Sequence, residues 1–153
     1  MEAVIRRASQ NDLFILKEFL TKANLGTNGL TEEMVEYFLL LEDDEGELVG
    51  TLGIEPIDER GLLRSLAVAS GQAEKDIWLL IEQALQLAKD RGIKELFLAT
   101  NKTGALPLFE LLGFQKVPEK ALPQELFQSE HVRHILNVDN SLFLKYAIAN
   151  KKG

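Results

Sequence analysis

The chain has 153 residues, a formal net charge of −7 and no cysteine. Its length suits one domain, residues 1–153, around one hydrophobic core, and 46% apolar with 27% charged residues is a globular rather than a disordered composition. The missing cysteines exclude disulfide frameworks, thiolate metal sites and thiol nucleophiles. The acidic balance, with no basic face beyond the short tail Lys151-Lys152, argues against binding nucleic acid and favours amine-bearing small molecules. The longest apolar stretches, such as Tyr37 to Leu41, are far too short to span a bilayer. No signal-peptide order of charge, apolar run and cleavage site opens the chain, so the cytoplasm is the expected compartment.

In chain order, Ala3 to Ala8 predicts a first strand, and Ser9 followed by Asp12 reads as a capping-box-like helix start. Leu13, Leu16, Phe19 and Leu20 keep helical spacing to about Ala23. Thr31 with Glu32 and Glu33 starts a short second helix. Phe38 to Leu41, Glu47 to Ile57 and Leu62 to Val68 read as strands separated by turns at Asp43 to Gly46 and at Pro56, Asp58 and Gly61. Sequential hairpins make this half of the sheet antiparallel.

Ile77, Leu80, Ile81, Ala84, Leu85 and Ala88 then recur at helical spacing on one face, and Lys89, Arg91 and Gly92 supply a basic last turn and a glycine stop. Leu96 to Ala99 is a buried strand, so Leu62–Val68, the helix and this strand form a βαβ-like unit. Thr103 can cap another helix that tolerates Pro107 in its first turns and stops at Gly113. Phe114 to Val117 returns to strand, Pro118 to Asn140 is looser, and Ser141 to Ile148 closes as a last strand. The predicted order is β-α-α-β-β-β-α-β-α-β-β.

That order resembles the GCN5-related N-acetyltransferase (GNAT) family, and three stretches sharpen the resemblance. Leu63-Arg64-Ser65-Leu66-Ala67-Val68 resembles the strand that ends in L-x-V before the family's pyrophosphate loop. The segment from Leu80 to Gly92 resembles the helix that follows. Thr100-Asn101 and Leu108-Phe109-Glu110-Leu111-Leu112-Gly113-Phe114 resemble the asparagine after the fifth strand and the helix end that runs into "LGF". The resemblance covers nearly the whole chain. It implies an α/β (α+β) fold, with a mixed, mostly antiparallel twisted sheet of about seven strands, about four helices, and splayed fourth and fifth strands. It also implies acetyl-CoA as co-substrate, a small-molecule amine as acceptor, and a homodimer through the C-terminal strands.

In the family the pantetheine arm lies along the backbone of the fourth strand, here Leu66, Ala67 and Val68, and the pyrophosphate sits on amides at the next helix start. The family loop there is Q/R-x-x-G-x-G/A. This chain has Gln72-Ala73-Glu74-Lys75-Asp76-Ile77, so Gln72 fits the first position while Lys75 and Ile77 replace glycines, and Ala69-Ser70-Gly71 before it is one residue short. Glu74 and Asp76 bring negative charge towards a dianionic group, which Lys75 can offset. The loop is a degenerate one. By the same resemblance Asn101 and Phe109 are cofactor contacts, although Thr100-Asn101-Lys102-Thr103 is equally ordinary loop and cap chemistry. Phe109 stands where many members carry a proton-donating tyrosine, and it cannot donate.

Direct acetyl transfer needs deprotonation of an ammonium, and Glu55 and Glu59 are candidate bases, with solvated strand-face charges as the competing reading. Arg64 is able to hold an acceptor carboxylate, but an outward, solvated arginine is the expectation. Trp78 either fills nucleotide space or packs on the sheet. His131 and His134 do not amount to a zinc pattern, so no metal is expected. Two functions stand: an N-acetyltransferase acting on a small amine, or a GNAT-fold module without catalysis, kept for ligand sensing or protein contacts.

Overall fold

A computed structural model of the chain describes residues 4–23, 25, 27, 30–69, 74–100, 106–129, 132–133 and 142–148. Its elements are β1 (Val4–Arg7), α1 (Leu13–Lys22), α2 (Glu32–Val35), β2 (Phe38–Glu42), β3 (Leu48–Ile57), β4 (Arg60–Val68), α3 (Glu74–Asp90), β5 (Glu95–Thr100), α4 (Leu106–Leu112), β6 (Gln115–Val117) and β7 (Leu142–Ala147). Short 3-10 turns at Gln10–Asp12, Glu119–Ala121 and Gln124–Gln128 complete them. The sequence of strands and helices is the predicted one. The strands form a seven-stranded sheet in the order β1-β2-β3-β4-β5-β7-β6.

Two units divide the chain: Met1–Glu55 with Arg64–Leu87, and Pro56–Leu63 with Ala88–Gly153. In the first, β1, β2 and β3 pair antiparallel, with Ile5 opposite Leu41 and Leu40 opposite Thr51. Ala8, Leu16, Leu20, Leu30, Val35, Phe38 and Leu40 form its core on the α1 and α2 side. The entry into α1 is fixed by charge as well as by packing. The Ser9 amide donates to Asp12 Oδ2 at 2.8 Å, and Arg6 of β1 holds both Asp12 oxygens at 2.8 Å. Arg6 also reaches Glu42 of β2 at 3.1 Å. α3 buries Leu80, Ile81, Ala84, Leu87 and Ala88. The apolar stripe is thus shifted from the predicted one: Leu87 joins it at one edge, while Leu85 on the other edge and Ile77 in the first turn are half-buried.

In the second unit the start of β4 runs parallel to β5, from Arg60 opposite Glu95 to Leu63 opposite Leu98. β4 itself continues to Val68 and β5 to Thr100. β7 pairs antiparallel with β5 on one side and β6 on the other. The order has a physical reason. Phe143 and Leu144 of β7 are both buried, as an interior strand requires, whereas Gln115 and Lys116 of β6 are exposed, as suits an edge. Leu62, Phe97, Ala99, Leu122, Leu126, Val132 and Phe143 make the core, so the loose stretch after β6 supplies packing as well as connection.

Both predicted glycine stops close helices by the same motif. Gly92 and Gly113 have φ of 76° and 113°, and Ile93 donates to the Ala88 carbonyl as Phe114 does to that of Phe109. Any side chain at 113 would also meet the Tyr146 ring, at 2.9 Å from a Cβ.

Candidate acceptor and acyl-binding site

The site begins with the face that β2 and β3 share. Phe38 stands opposite Gly53 and Leu40 opposite Thr51, and Phe38 and Leu40 belong to the core with α1 and α2. Side chains alternate along a strand, so Thr51, Gly53 and Glu55 look to that same side. Gly53 is required there because a Cβ would stand 2.5 Å from the Phe38 ring. Beyond the glycine, Glu55 meets Arg64 of β4, with Nη1 to Oε1 at 3.5 Å and side-chain exposures of 8% for Arg64 and 22% for Glu55. Arg64 Nε also donates to Ser65 Oγ at 3.2 Å. The expected solvated arginine is therefore a buried one. A guanidinium so withdrawn from water is tolerated only with charged and polar partners, and Glu55 supplies the opposite charge.

Ser65 departs from strand geometry. Its φ is 59°, a left-handed value that costs a non-glycine residue about 1–3 kcal/mol. Thr51, fully buried, donates its hydroxyl to the Ser65 carbonyl at 2.9 Å and so helps to hold the turned peptide. Across a trans peptide the carbonyl and the next amide point in opposite directions. With the Ser65 carbonyl directed at Thr51, the Leu66 amide is directed away from it. Leu66, Ala67 and Val68 follow, half-buried, at the end of β4.

The remaining expected residues are dispersed. Glu59 lies in the β3–β4 turn, before the opposite end of β4, with its side chain 70% exposed and 3.5 Å from Lys94 Nζ. Its carbonyl accepts from the Lys94 amide at 2.7 Å. In the first turn of α3, Lys75 is exposed, Asp76 is buried, and Ile77 and Trp78 are half-buried. Phe109 is 3% exposed and packs edge-on against Phe114 with ring centroids 5.6 Å apart. Gln72, Ala73, Asn101, His131 and His134 lie outside the described residues. Among the described residues no group of three or more His, Cys, Asp or Glu is placed to hold a metal ion, and no helix is long and apolar enough to cross a membrane.

Residues 13–114 match the model of the acetyltransferase (GNAT) family, which is about two thirds of the chain. The chain belongs to the GNAT family. The GNAT match takes in α1 through α4, and with them Glu55, Arg64, Ser65, Lys75 and Phe109. The uncharacterized protein YwlB of Bacillus subtilis (strain 168) is 31% identical over 144 residues, 94% of this chain and 96% of that protein. Among solved structures, N-acetylglutamate synthase from Neisseria gonorrhoeae, in complex with coenzyme A and N-acetyl-glutamate, superposes with a TM-score of 0.75 at 23% identity. This chain is covered to 98% but spans only 36% of that synthase. Rv2747 from Mycobacterium tuberculosis, in complex with CoA and NLQ, gives 0.72 at 21% identity, over 95% of this chain and 99% of that one. At these identities the likeness is one of GNAT fold.

Reasoning from sequence alone named Glu55 and the end of β4 but missed Thr51 and Ser65. Nothing in Leu63-Arg64-Ser65-Leu66 announces a left-handed residue, since glycine or asparagine is the usual mark of one. A signal for Arg64 was present: apolar neighbours on both sides, Leu62-Leu63 and Leu66-Ala67, make a charge in mid-strand unusual.

Proposed function

We propose that this chain transfers an acetyl group from acetyl-CoA to a primary amine of a small molecule by direct attack. The observation that carries this is the turned peptide at Ser65, held by Thr51. It directs the Leu66 amide away from β3 at the point where the family's strand meets the acyl group. Leu66, Ala67 and Val68 would hold the pantetheine arm through their backbone. Gln72, Ala73, Lys75, Asp76 and Ile77 would border the pyrophosphate, with Lys75 as the counter-charge, and Asn101 and Phe109 would contact the arm. Acetyl-CoA supplies the activated acyl group.

The residues of the chain do the rest. Glu55 receives the substrate ammonium and takes its proton, directly or through water. Glu59, exposed and paired with Lys94, is the weaker of the two candidate bases. The free amine attacks the thioester carbon and the Leu66 amide offers its hydrogen to the developing oxyanion. The carbon–sulfur bond then breaks, the nitrogen loses its second proton to solvent, and the departing thiolate takes one from solvent since Phe109 carries no hydroxyl. The products are the acetamide, free thiol and one proton.

Phe109 also favours a second reading, the ligand-sensing module without catalysis, because it replaces the usual proton donor with a packed ring. Thiol release separates the two. With acetyl-CoA and a panel of primary amines, transfer predicts stoichiometric thiol and acetamide. Acetyl-CoA binding without thiol release from any amine would favour the sensor.

A further inference from the structure

We infer that Thr51 is the positioning residue of the acyl-binding turn: its hydroxyl, through the Ser65 carbonyl, keeps the Leu66 amide aimed where the oxyanion forms. The inference rests on the transfer reading for its chemistry and adds to it a residue that acts through another. Among the described residues, two that are not glycine have a positive φ: Asp58 at 56° and Ser65 at 59°. The place of Asp58 accounts for its conformation. It is exposed in the turn between β3 and β4, and aspartate is one of the types that tolerate this region in turns. Ser65 has no such account, because it is buried and lies within β4. Strain kept inside a strand points to an orientation that ordinary strand geometry would not provide.

Thr51 leads to the same point from the other side. It is fully buried and stands opposite Leu40, which belongs to the apolar core with Phe38. Valine would fill that volume with no polar atom to bury, so an oxygen there is unfavourable unless it is bonded. Its 2.9 Å bond to the Ser65 carbonyl meets that demand. Thr51, Ser65 and Leu66 all stand in the first unit. The peptide that joins Ser65 to Leu66 is planar, so fixing its carbonyl fixes its amide hydrogen as well. Without the hydroxyl, Ser65 can relax towards an extended φ, and the peptide plane turns with it. An oxyanion donor works by being aimed before charge develops, and a peptide free to turn must be aimed during the reaction. Loss of the hydroxyl therefore slows the attack, while the backbone of Ala67 and Val68, further along β4, still holds the acyl donor.

The test uses the full chain, acetyl-CoA and thiol release with a slow primary amine, so that chemistry limits the rate. Thr51→Val keeps the volume and removes the oxygen. Its kcat should fall about 10- to 100-fold, short of the full loss of an oxyanion donor, with the KM of acetyl-CoA unmoved. Thr51→Ser keeps the oxygen and opens a methyl-sized gap, so its kcat should stay close to that of the parent whatever the gap costs in stability. If Thr51→Val does not fold, Thr51→Ser against Thr51→Ala makes the same comparison, since serine and alanine differ only in the oxygen. Coupling gives a second readout. Ser65→Gly adopts the left-handed conformation freely, so removing the Thr51 hydroxyl should slow that background less than it slows the parent. A variant without the hydroxyl that keeps kcat, Thr51→Ser as slow as Thr51→Val, or equal losses in the two backgrounds would overturn the inference and leave the transferase reading standing. A parent that releases no thiol with any primary amine would remove the transferase reading, and the inference with it.

Discussion

Ser65 concentrates what the single residues contribute. Its left-handed backbone, the Thr51 hydroxyl on its carbonyl and the Arg64 guanidinium on its own hydroxyl meet in one turn of chain. Valine at this position forces a β-branched side chain into that conformation, and Ser65→Val is expected to cost about 1–3 kcal/mol in urea unfolding. Ser65→Gly relieves the conformation and loses only the hydroxyl contact, so it should stay within about 1 kcal/mol of the parent. Equal stabilities for the two variants would mean that no strain is held there. At this scale the sequence was least legible. Glu55 was readable as a candidate base, but Arg64 was expected to be outward and solvated, and their meeting depends on register between β3 and β4. That register passes through an irregular residue that carries no compositional mark.

Elements were more legible because their signals are periodic and local. The order of strands and α-helices is the predicted one, and both helix-ending glycines adopt the positive φ that their position implied. What local patterns do not encode is the non-local pairing that inserts β7 between β5 and β6, which is decided by the burial of Phe143 and Leu144. The junction of β1 with α1 offers a measurable consequence. Hydrogen bonds from Arg6, aided by the Ser9 amide, lower the Asp12 carboxyl from 3.8 to about 2 against the opposing effect of burial. The same bonds, with those to Glu42, hold the Arg6 guanidinium above its ordinary range. A carboxyl whose folded value is depressed adds stability that is complete above the unfolded value and lost as pH falls towards the folded one. Asp12→Asn should therefore cost roughly 1–3 kcal/mol at neutral pH and flatten the acid limb of stability between pH 4 and pH 2. An unchanged acid limb would assign that limb to other carboxylates.

For the whole molecule, the family was readable from the order of elements together with three short motifs, and the match across residues 13–114 bears it out. Activity is a separate matter, because one fold serves many chemistries and the residues of the site must carry the case. Two departures from the family pattern bear on it. Lys75 and Ile77 replace glycines, yet the structure leaves Lys75 exposed, where it can meet an anion, and withdraws Asp76. Phe109 removes a proton donor but keeps an aromatic ring in the core, packed on Phe114. Both changes are compatible with a protein that still holds the acyl donor, and that is the claim on which the transfer chemistry depends. Calorimetric titration of the full chain with acetyl-CoA tests it most directly. The account predicts saturable heat with one site per chain, weakened by Lys75→Glu. The absence of heat at high micromolar acetyl-CoA would contradict it.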